Sequence, residues 1–170
     1  MIGACLVSLA AVHAGAEDLA TRSHVRSESP VLRRLIADAM SGSPTFRVFV
    51  EEIDQSDVIV YVSVRVLSRR LDGRIGFVGA RPGQRLLAIE LAYDCPFDAQ
   101  MPRLAHELQH ALEIARAPWV VDAATLGEYY RRIGFQVSGD VGPAAYETAD
   151  ARAVSDRVRR ELANSADSNR

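Results

Sequence analysis

Residues 106–110 read His-Glu-Leu-Gln-His, a motif whose residue types and spacing suit metal chemistry. Two histidines four residues apart lie on one face of an α-helix, so both imidazoles can bind a single metal ion. HExxH on a helix is typical of zinc sites, in which Zn²⁺ binds imidazole nitrogen at about 2.0–2.1 Å. The motif therefore predicts His106 and His110 as zinc ligands and Glu107 as the catalytic general base.

The residues around the motif follow an amphipathic helical pattern. At about 100° per residue, His106, His110 and Glu113 share one side of the helix. The opposite side is apolar and carries Met101, Leu104, Ala105, Leu108, Ala111, Leu112 and Ala115. One face is thus expected to enter the core and the other to border a cleft. The alternative is a coincidental histidine pair on a solvated helix.

A third protein ligand is expected, because a catalytic zinc usually has three and keeps one open position. The remaining histidines, His13 and His24, precede the predicted domain, which favours a carboxylate. Glu147 is the preferred candidate because it continues the apolar stripe of the predicted last helix, and a buried carboxylate is costly unless it is paired or metal-bound. That stripe consists of Ala151, Val154, Val158 and Leu162.

Two other glutamates remain open as ligands. Glu113 is suited to accept a hydrogen bond from the ring of His110, or to be a solvated carboxylate. Glu128 precedes Arg132 by four residues, the spacing of an exposed helical ion pair, and is the second candidate for the third ligand. Glu147 could instead stabilise a helix N-terminus through the macrodipole.

The elements that must position these residues predict an α+β domain. Ser29 and Pro30 indicate a helix start, and Gly42 its end. Four strand-like runs follow at 45–51, 57–67, 74–79 and 84–93, and short connections favour an antiparallel β-meander. Helices are then predicted over 98–117, 123–133 and 145–163.

The chain ends predict export and a single domain. Residues 1–16 are uncharged and mostly apolar, and they end in Ala14-Gly15-Ala16, which is typical of a cleaved signal peptide. A linker over 17–29, a domain over 30–163 and a flexible tail over 164–170 follow. The apolar run is shorter than the roughly 20 residues of a membrane span. We expect a periplasmic, secreted or lipid-anchored protein, or a cytoplasmic one if residues 1–16 are not a signal peptide.

Composition indicates a globular protein and disfavours nucleic-acid binding. The 170 residues are 48% hydrophobic and 25% charged, and the net charge of −2 is spread along the chain. Such a balance gives no strong field to attract polyanions. Two cysteines, Cys5 and Cys95, cannot form a framework of several disulfides.

With His106, Glu107 and His110 followed by Glu147 in a later predicted helix, the chain resembles the zincins, and among them the gluzincin group of zinc metallopeptidases. The order of sheet, motif helix and glutamate helix is similar to a minimal zincin core over 30–163. The resemblance implies a Zn²⁺ cofactor and a peptide or protein substrate. A catalytically inactive, zinc-binding module of the same family is the alternative.

The resemblance also raises two expectations about the substrate. Tyr146 or Tyr93 would donate a hydrogen bond to the negative charge that develops in the transition state. The strand 84–93, just before the motif helix, would form the edge of the cleft, where a substrate backbone adds as an extra strand.

Overall fold

The computed structural model describes residues 23–67, 71–137 and 146–168, and over these ranges the protein is an α+β fold, as predicted. The helices are α1 Pro30–Gly42, α2 Pro44–Asp54, α3 Phe97–Ala115, α4 Ala123–Ile133 and α5 Ala149–Ser168. The strands are β1 Val25–Arg26, β2 Val58–Arg65, β3 Gly73–Arg81, β4 Gln84–Ala92, β5 Phe135–Gln136 and β6 Tyr146–Glu147. The predicted signal peptide, 1–16, lies outside the described residues.

The main sheet is mixed, which corrects the predicted meander. Its order is β1-β2-β4-β3, with β2 parallel to β4 and β3 antiparallel to β4. A parallel pair needs a crossover of a dozen or more residues, and residues 66–83, which include β3 itself, supply it. Consecutive strands do run in opposite directions, but β4 lies between β2 and β3 in the sheet. Strand β3 therefore lies at the edge of the sheet, beside the motif helix.

The predicted strand 45–51 is wrong, because these residues belong to α2. Ser43 accepts a hydrogen bond from the backbone N–H of Phe46, and Pro44 follows it, which is a helix start. Phe46, Val50 and Ile53 are buried at helical spacing. The β-branched and aromatic composition indicated a strand, but the cap and the buried face determine a helix.

Several boundaries differ from the prediction at the two ends of the domain. Val25 pairs with Val60, so folded structure begins within the predicted linker 17–29. Helix α5 continues to Ser168, so most of the predicted flexible tail 164–170 is helical. It begins at Ala149, and Glu147 therefore precedes it rather than starting it.

The core lies between the sheet and the helices, and α3 is its most buried helix. Leu104, Leu108 and Ile114 of α3 are fully buried, as are Leu87 and Ile89 of β4. Burial of these side chains fixes α3 on the sheet with its histidine face turned toward β3. Within the described ranges, no helix is both long enough and apolar enough to cross a bilayer.

A buried arginine joins the end of α3 to the sheet. Arg85 on β4 is 3% exposed and binds both carboxylate oxygens of Asp57 at 2.7 Å. Its guanidinium also donates to carbonyls at and beyond the end of α3, those of Ile114, Ala115, Ala117 and Val120. Arg85 thus supplements the backbone turns that follow α3, in which the N–H groups of Ala117 and Val120 donate to the carbonyls of Ile114 and Ala117.

Candidate metal centre

Helix α3 presents both motif histidines to one cleft. The rings of His106 and His110 meet edge to face, with centroids 5.1 Å apart. Both residues are buried, at 5% and 4% exposure. The amphipathic pattern predicted this arrangement, since the apolar face of α3 is in the core while the histidine face borders the cleft.

Glu147 reaches the same point from a distant part of the chain. Its Oε1 lies 3.1 Å from Nε2 of His106 and 3.4 Å from Nε2 of His110. One ligand atom from each of the three residues lies within 4.8 Å of the others. The structure therefore brings together the three residues that the sequence predicted as metal ligands.

A two-strand hairpin, rather than a helix, delivers Glu147. Strand β5 follows the end of α4 and pairs with β6, where Phe135 is opposite Glu147. Gly134 permits the close approach, because a Cβ there would lie 2.9 Å from the carbonyl oxygens of both Glu147 and Tyr130. Arg152 stacks on the ring of Phe135 and lies 3.8 Å from the second carboxylate oxygen of Glu147.

Glu113 contacts the outer ring nitrogen of His110. Its Oε2 lies 2.8 Å from Nδ1 of His110, and its Oε1 accepts a hydrogen bond of 2.8 Å from the hydroxyl of Thr148. This is the contact anticipated for Glu113 from its spacing. An Nδ1–H that donates to a carboxylate leaves Nε2 as the metal-binding nitrogen.

The structure does not group Glu128, the other candidate for the third ligand, with the two histidines. Glu128 is exposed and forms an ion pair with Arg132, as its spacing predicted. It does not belong to the cluster of His106, His110 and Glu147, nor does it line the cleft. The structure thus favours Glu147 over Glu128 by proximity alone.

The two histidines and the carboxylates of the cluster are strongly coupled electrostatically. Burial would lower the pKa of His110, but its hydrogen bonds with Glu113 and Glu147 outweigh burial and raise the pKa to about 9. Burial would likewise raise the pKa of Glu147, yet its contacts with both histidines hold it well below the usual range. Three carboxylates, including Glu107, thus surround two imidazoles at a buried site, and buried negative charge requires compensation by a cation or by protons.

Glu107 is enclosed at the base of the cleft, close to the edge strand. It is 3% exposed, and burial raises the pKa of its carboxyl, although the neighbouring histidines and Arg103 oppose this. A Cβ on Gly73 would lie only 2.8 Å from its Oε1, so the missing side chain at Gly73 makes room for the carboxylate. A carboxyl with a raised pKa is suited to take up and return a proton.

The cleft itself has a volume of about 920 Å³ and lies between β3 and α4. Tyr146 lines it. Tyr93 is 76% exposed and does not line the cleft, so its hydroxyl is not placed to donate a hydrogen bond to a substrate there. Tyr130 also lines the cleft, but its hydroxyl donates to the carbonyl oxygen of His110 at 3.1 Å.

The predicted cleft edge also requires correction. Strand β4, which covers most of 84–93, pairs with β2 on one side and with β3 on the other, so its backbone is already hydrogen-bonded. The open edge that borders the cleft belongs to β3, and residues 73–78 line the cleft. No pattern in the sequence indicates which of the two strands is outermost, because both runs are apolar.

Comparisons with known proteins do not identify the chain. No family model matches it, and neither the curated proteins nor the solved structures contain a match. The interpretation of the site therefore depends on its own geometry.

Sequence reasoning missed two residues that shape the site. Thr148 is a helix N-cap, since its hydroxyl accepts from the N–H of Ala151 at 3.2 Å. Threonine before Ala-Asp is a recognisable start signal, and it would have placed Glu147 outside the helix. Gly73 carried no signal of its role, because its contact with Glu107 joins residues that are far apart in the sequence.

Proposed function

We propose that this protein is a zinc-dependent peptidase with a zincin-like site, in which His106, His110 and Glu147 hold the metal and Glu107 is the general base. The convergence of two imidazole nitrogens and one carboxylate oxygen within 4.8 Å carries the proposal. This donor set, two histidines and one glutamate, is one of those found in catalytic zinc sites.

The residues fit zinc in number, chemistry and surroundings. Each offers one atom at the edge of an accessible cleft, and Glu113 orients one of the imidazoles. When bound, zinc would act as a Lewis acid that polarises the scissile carbonyl and lowers the pKa of water. The excess of buried carboxylates gives this divalent cation a favourable electrostatic environment.

Glu107 performs the proton transfers in this proposal. Its carboxylate lines the cleft beside both histidines, where it takes the proton from the attacking water and returns it to the leaving amine. Burial keeps bulk water away from this carboxyl and raises its pKa, which favours reversible protonation. Tyr146 is the cleft hydroxyl available to stabilise negative charge in the transition state.

The substrate backbone is expected to lie along β3 rather than β4. Strand β3 has backbone groups unpaired by any described strand on its outer side, and it borders the cleft beside Glu107. An extended peptide could therefore add to this edge with its scissile bond near the histidines.

Metal content in the full-length protein tests the ligand set. Wild type, His110→Ala, Glu147→Ala and Glu128→Ala are purified identically and analysed by mass spectrometry after reconstitution with zinc. We expect about one zinc per chain in the wild type and in Glu128→Ala, the matched control, and loss of zinc in the other two. Zinc retained in Glu147→Ala, or absent from the wild type, would contradict the assignment.

Hydrolysis separates a peptidase from a zinc-binding module without activity. Zinc-loaded wild type and Glu107→Gln are incubated with a mixture of fluorescence-quenched peptides. Glu107→Gln should keep its zinc and lose roughly 10²–10⁴-fold in rate, the usual contribution of a general base. A wild type that binds zinc but cleaves no peptide would favour the non-catalytic module.

A further inference from the structure

The hydroxyl of Thr148 lies between the metal centre and the start of α5. Thr148 is 4% exposed, and its Oγ1 accepts from the backbone N–H of Ala151 at 3.2 Å. The same oxygen lies 2.8 Å from Oε1 of Glu113. Because an ionised carboxylate only accepts, the hydroxyl proton must point to Glu113.

Glu113 transmits this bond to the histidine. Hydrogen bonds from His110, Thr148 and Gln109 hold the pKa of Glu113 below its ordinary value, although burial opposes this. Its two oxygens are divided, with Oε1 bound to Thr148 and Oε2 to Nδ1 of His110. The hydroxyl therefore restrains the rotation of the carboxylate that orients the ring.

Thr148 also restrains the third candidate ligand directly. Its backbone N–H donates to Oε1 of Glu147 at 3.0 Å, the same oxygen that faces both histidines. Thr148 thus contacts Glu147 through its backbone N–H, and it contacts Glu113, the hydrogen-bond partner of His110, through its hydroxyl. These two ligands come from different elements, α3 and β6.

We propose that Thr148 is a positioning residue. Its hydroxyl fixes the carboxylate of Glu113, and thereby the ring of His110, relative to Glu147, so that the metal meets a preformed set of ligands. The inference rests on the proposed zinc site. It predicts that loss of this hydroxyl weakens zinc binding, whereas loss of a helix cap elsewhere in the protein does not. Groups that orient metal ligands typically change affinity by about 10- to 100-fold when removed.

A matched control exists in α2. Ser43 is likewise a buried N-cap, and its hydroxyl donates to a glutamate, Glu161, at 2.5 Å while accepting from the N–H of Phe46. Neither Ser43 nor Glu161 belongs to the metal cluster. Ser43→Ala thus removes an equivalent cap and an equivalent hydroxyl–carboxylate bond away from the metal centre.

The test measures zinc dissociation constants by chelator competition for the full-length wild type, Thr148→Val, Thr148→Ser and Ser43→Ala. Thermal unfolding of the zinc-free proteins is recorded in parallel. We expect Thr148→Val to weaken zinc binding by about 10- to 100-fold, Thr148→Ser to stay close to the wild type, and Ser43→Ala to lose stability without losing affinity. If Thr148→Val does not fold, Thr148→Gly replaces it, because glycine is tolerated at an N-cap.

Two results would overturn the proposed role of Thr148 alone. Unchanged zinc affinity in Thr148→Val, or an equal loss in Ser43→Ala, would reduce Thr148 to an ordinary cap while leaving the zinc site intact. A wild type that binds no zinc would instead overturn the proposed function, and this inference with it.

Discussion

Replacement of Gly73 by alanine tests the geometry around Glu107 without changing any residue of the proposed metal centre. Gly73 begins β3, and the added Cβ would lie 2.8 Å from Oε1 of Glu107 and 3.2 Å from two side-chain carbons of Arg103. Both neighbours are side chains, so the strand can remain in place while they move. The carboxylate of Glu107 is the group that must move furthest.

The size of the movement sets the expected effect. An ordinary contact begins near 3.4 Å, so Oε1 must retreat by about 0.6 Å from its position at 2.8 Å. A displacement of about 1 Å in a catalytic group costs about 100-fold in rate. We therefore expect kcat to fall by about 10- to 100-fold, which corresponds to a barrier increase of about 1.4–2.7 kcal/mol.

The assay compares peptide hydrolysis, zinc content and thermal unfolding for the wild type, Gly73→Ala and Gly76→Ala. Gly76 lies on the same strand, and a Cβ there meets no atom within 4 Å. Gly76→Ala should therefore keep wild-type activity. Both variants should keep zinc, since neither position contacts the proposed ligands.

Full activity in Gly73→Ala would refute the placement of Glu107 as the proton carrier at this edge of the cleft. Loss of both zinc and activity in Gly73→Ala would contradict the expectation that only Glu107 moves, because the substitution would then also disturb the histidines. Equal losses in Gly73→Ala and Gly76→Ala would indicate a general effect on β3.

Three further predictions concern stability and the delivery of Glu147. Arg85→Met should destabilise the fold by about 2–4 kcal/mol in chemical denaturation, since the carbonyls of Ile114, Ala115, Ala117 and Val120 lose the guanidinium donor and Asp57 loses its partner; an effect below about 1 kcal/mol would show that water replaces the guanidinium. The hydrogen bonds from Arg85 hold the pKa of Asp57 below its usual value, so this pair stabilises the protein above the unfolded pKa of about 3.9 and the benefit is lost as pH falls through the lower folded pKa. Asp57→Asn should therefore be less stable than the wild type at pH 7, and the difference should shrink below about pH 4; a gap independent of pH would exclude the charge as its cause. Gly134→Ala should weaken zinc binding and lower stability by about 1–3 kcal/mol, because its Cβ would meet the backbone oxygens of Tyr130 and Glu147 at 2.9 Å. Zinc affinity equal to the wild type would show that β6 can shift without displacing the carboxylate of Glu147.

The local features of the fold were largely predictable from sequence. Caps and breakers identified α1 from Pro30 to Gly42 and α4 from Ala123 to Ile133, because these signals act within one turn of the chain. Local composition failed at 45–51, where aromatic and β-branched residues indicated a strand. There the Ser43 cap and the burial of Phe46 select a helix instead.

Strand order and the edge of the cleft could not be predicted in this way. The parallel pairing of β2 with β4 joins residues separated by the whole of β3, and no single turn specifies it. Hydrophobic contact with α3 buries Leu87 and Ile89 of β4 and leaves β3 outermost. The prediction that 84–93 forms the edge was wrong because burial of the whole sheet determines which strand is outermost.

The sequence by itself determined the histidine pair of the candidate site, because spacing along one helix fixes the relative positions of His106, Glu107 and His110. It also indicated that a carboxylate would join them. Only the tertiary structure decided that Glu147 arrives on β6, that Thr148 and Glu113 connect it to His110, and that Gly73 leaves room for Glu107. A helix fixes neighbours three or four residues apart, whereas contacts between distant segments depend on how all the elements bury their apolar faces together.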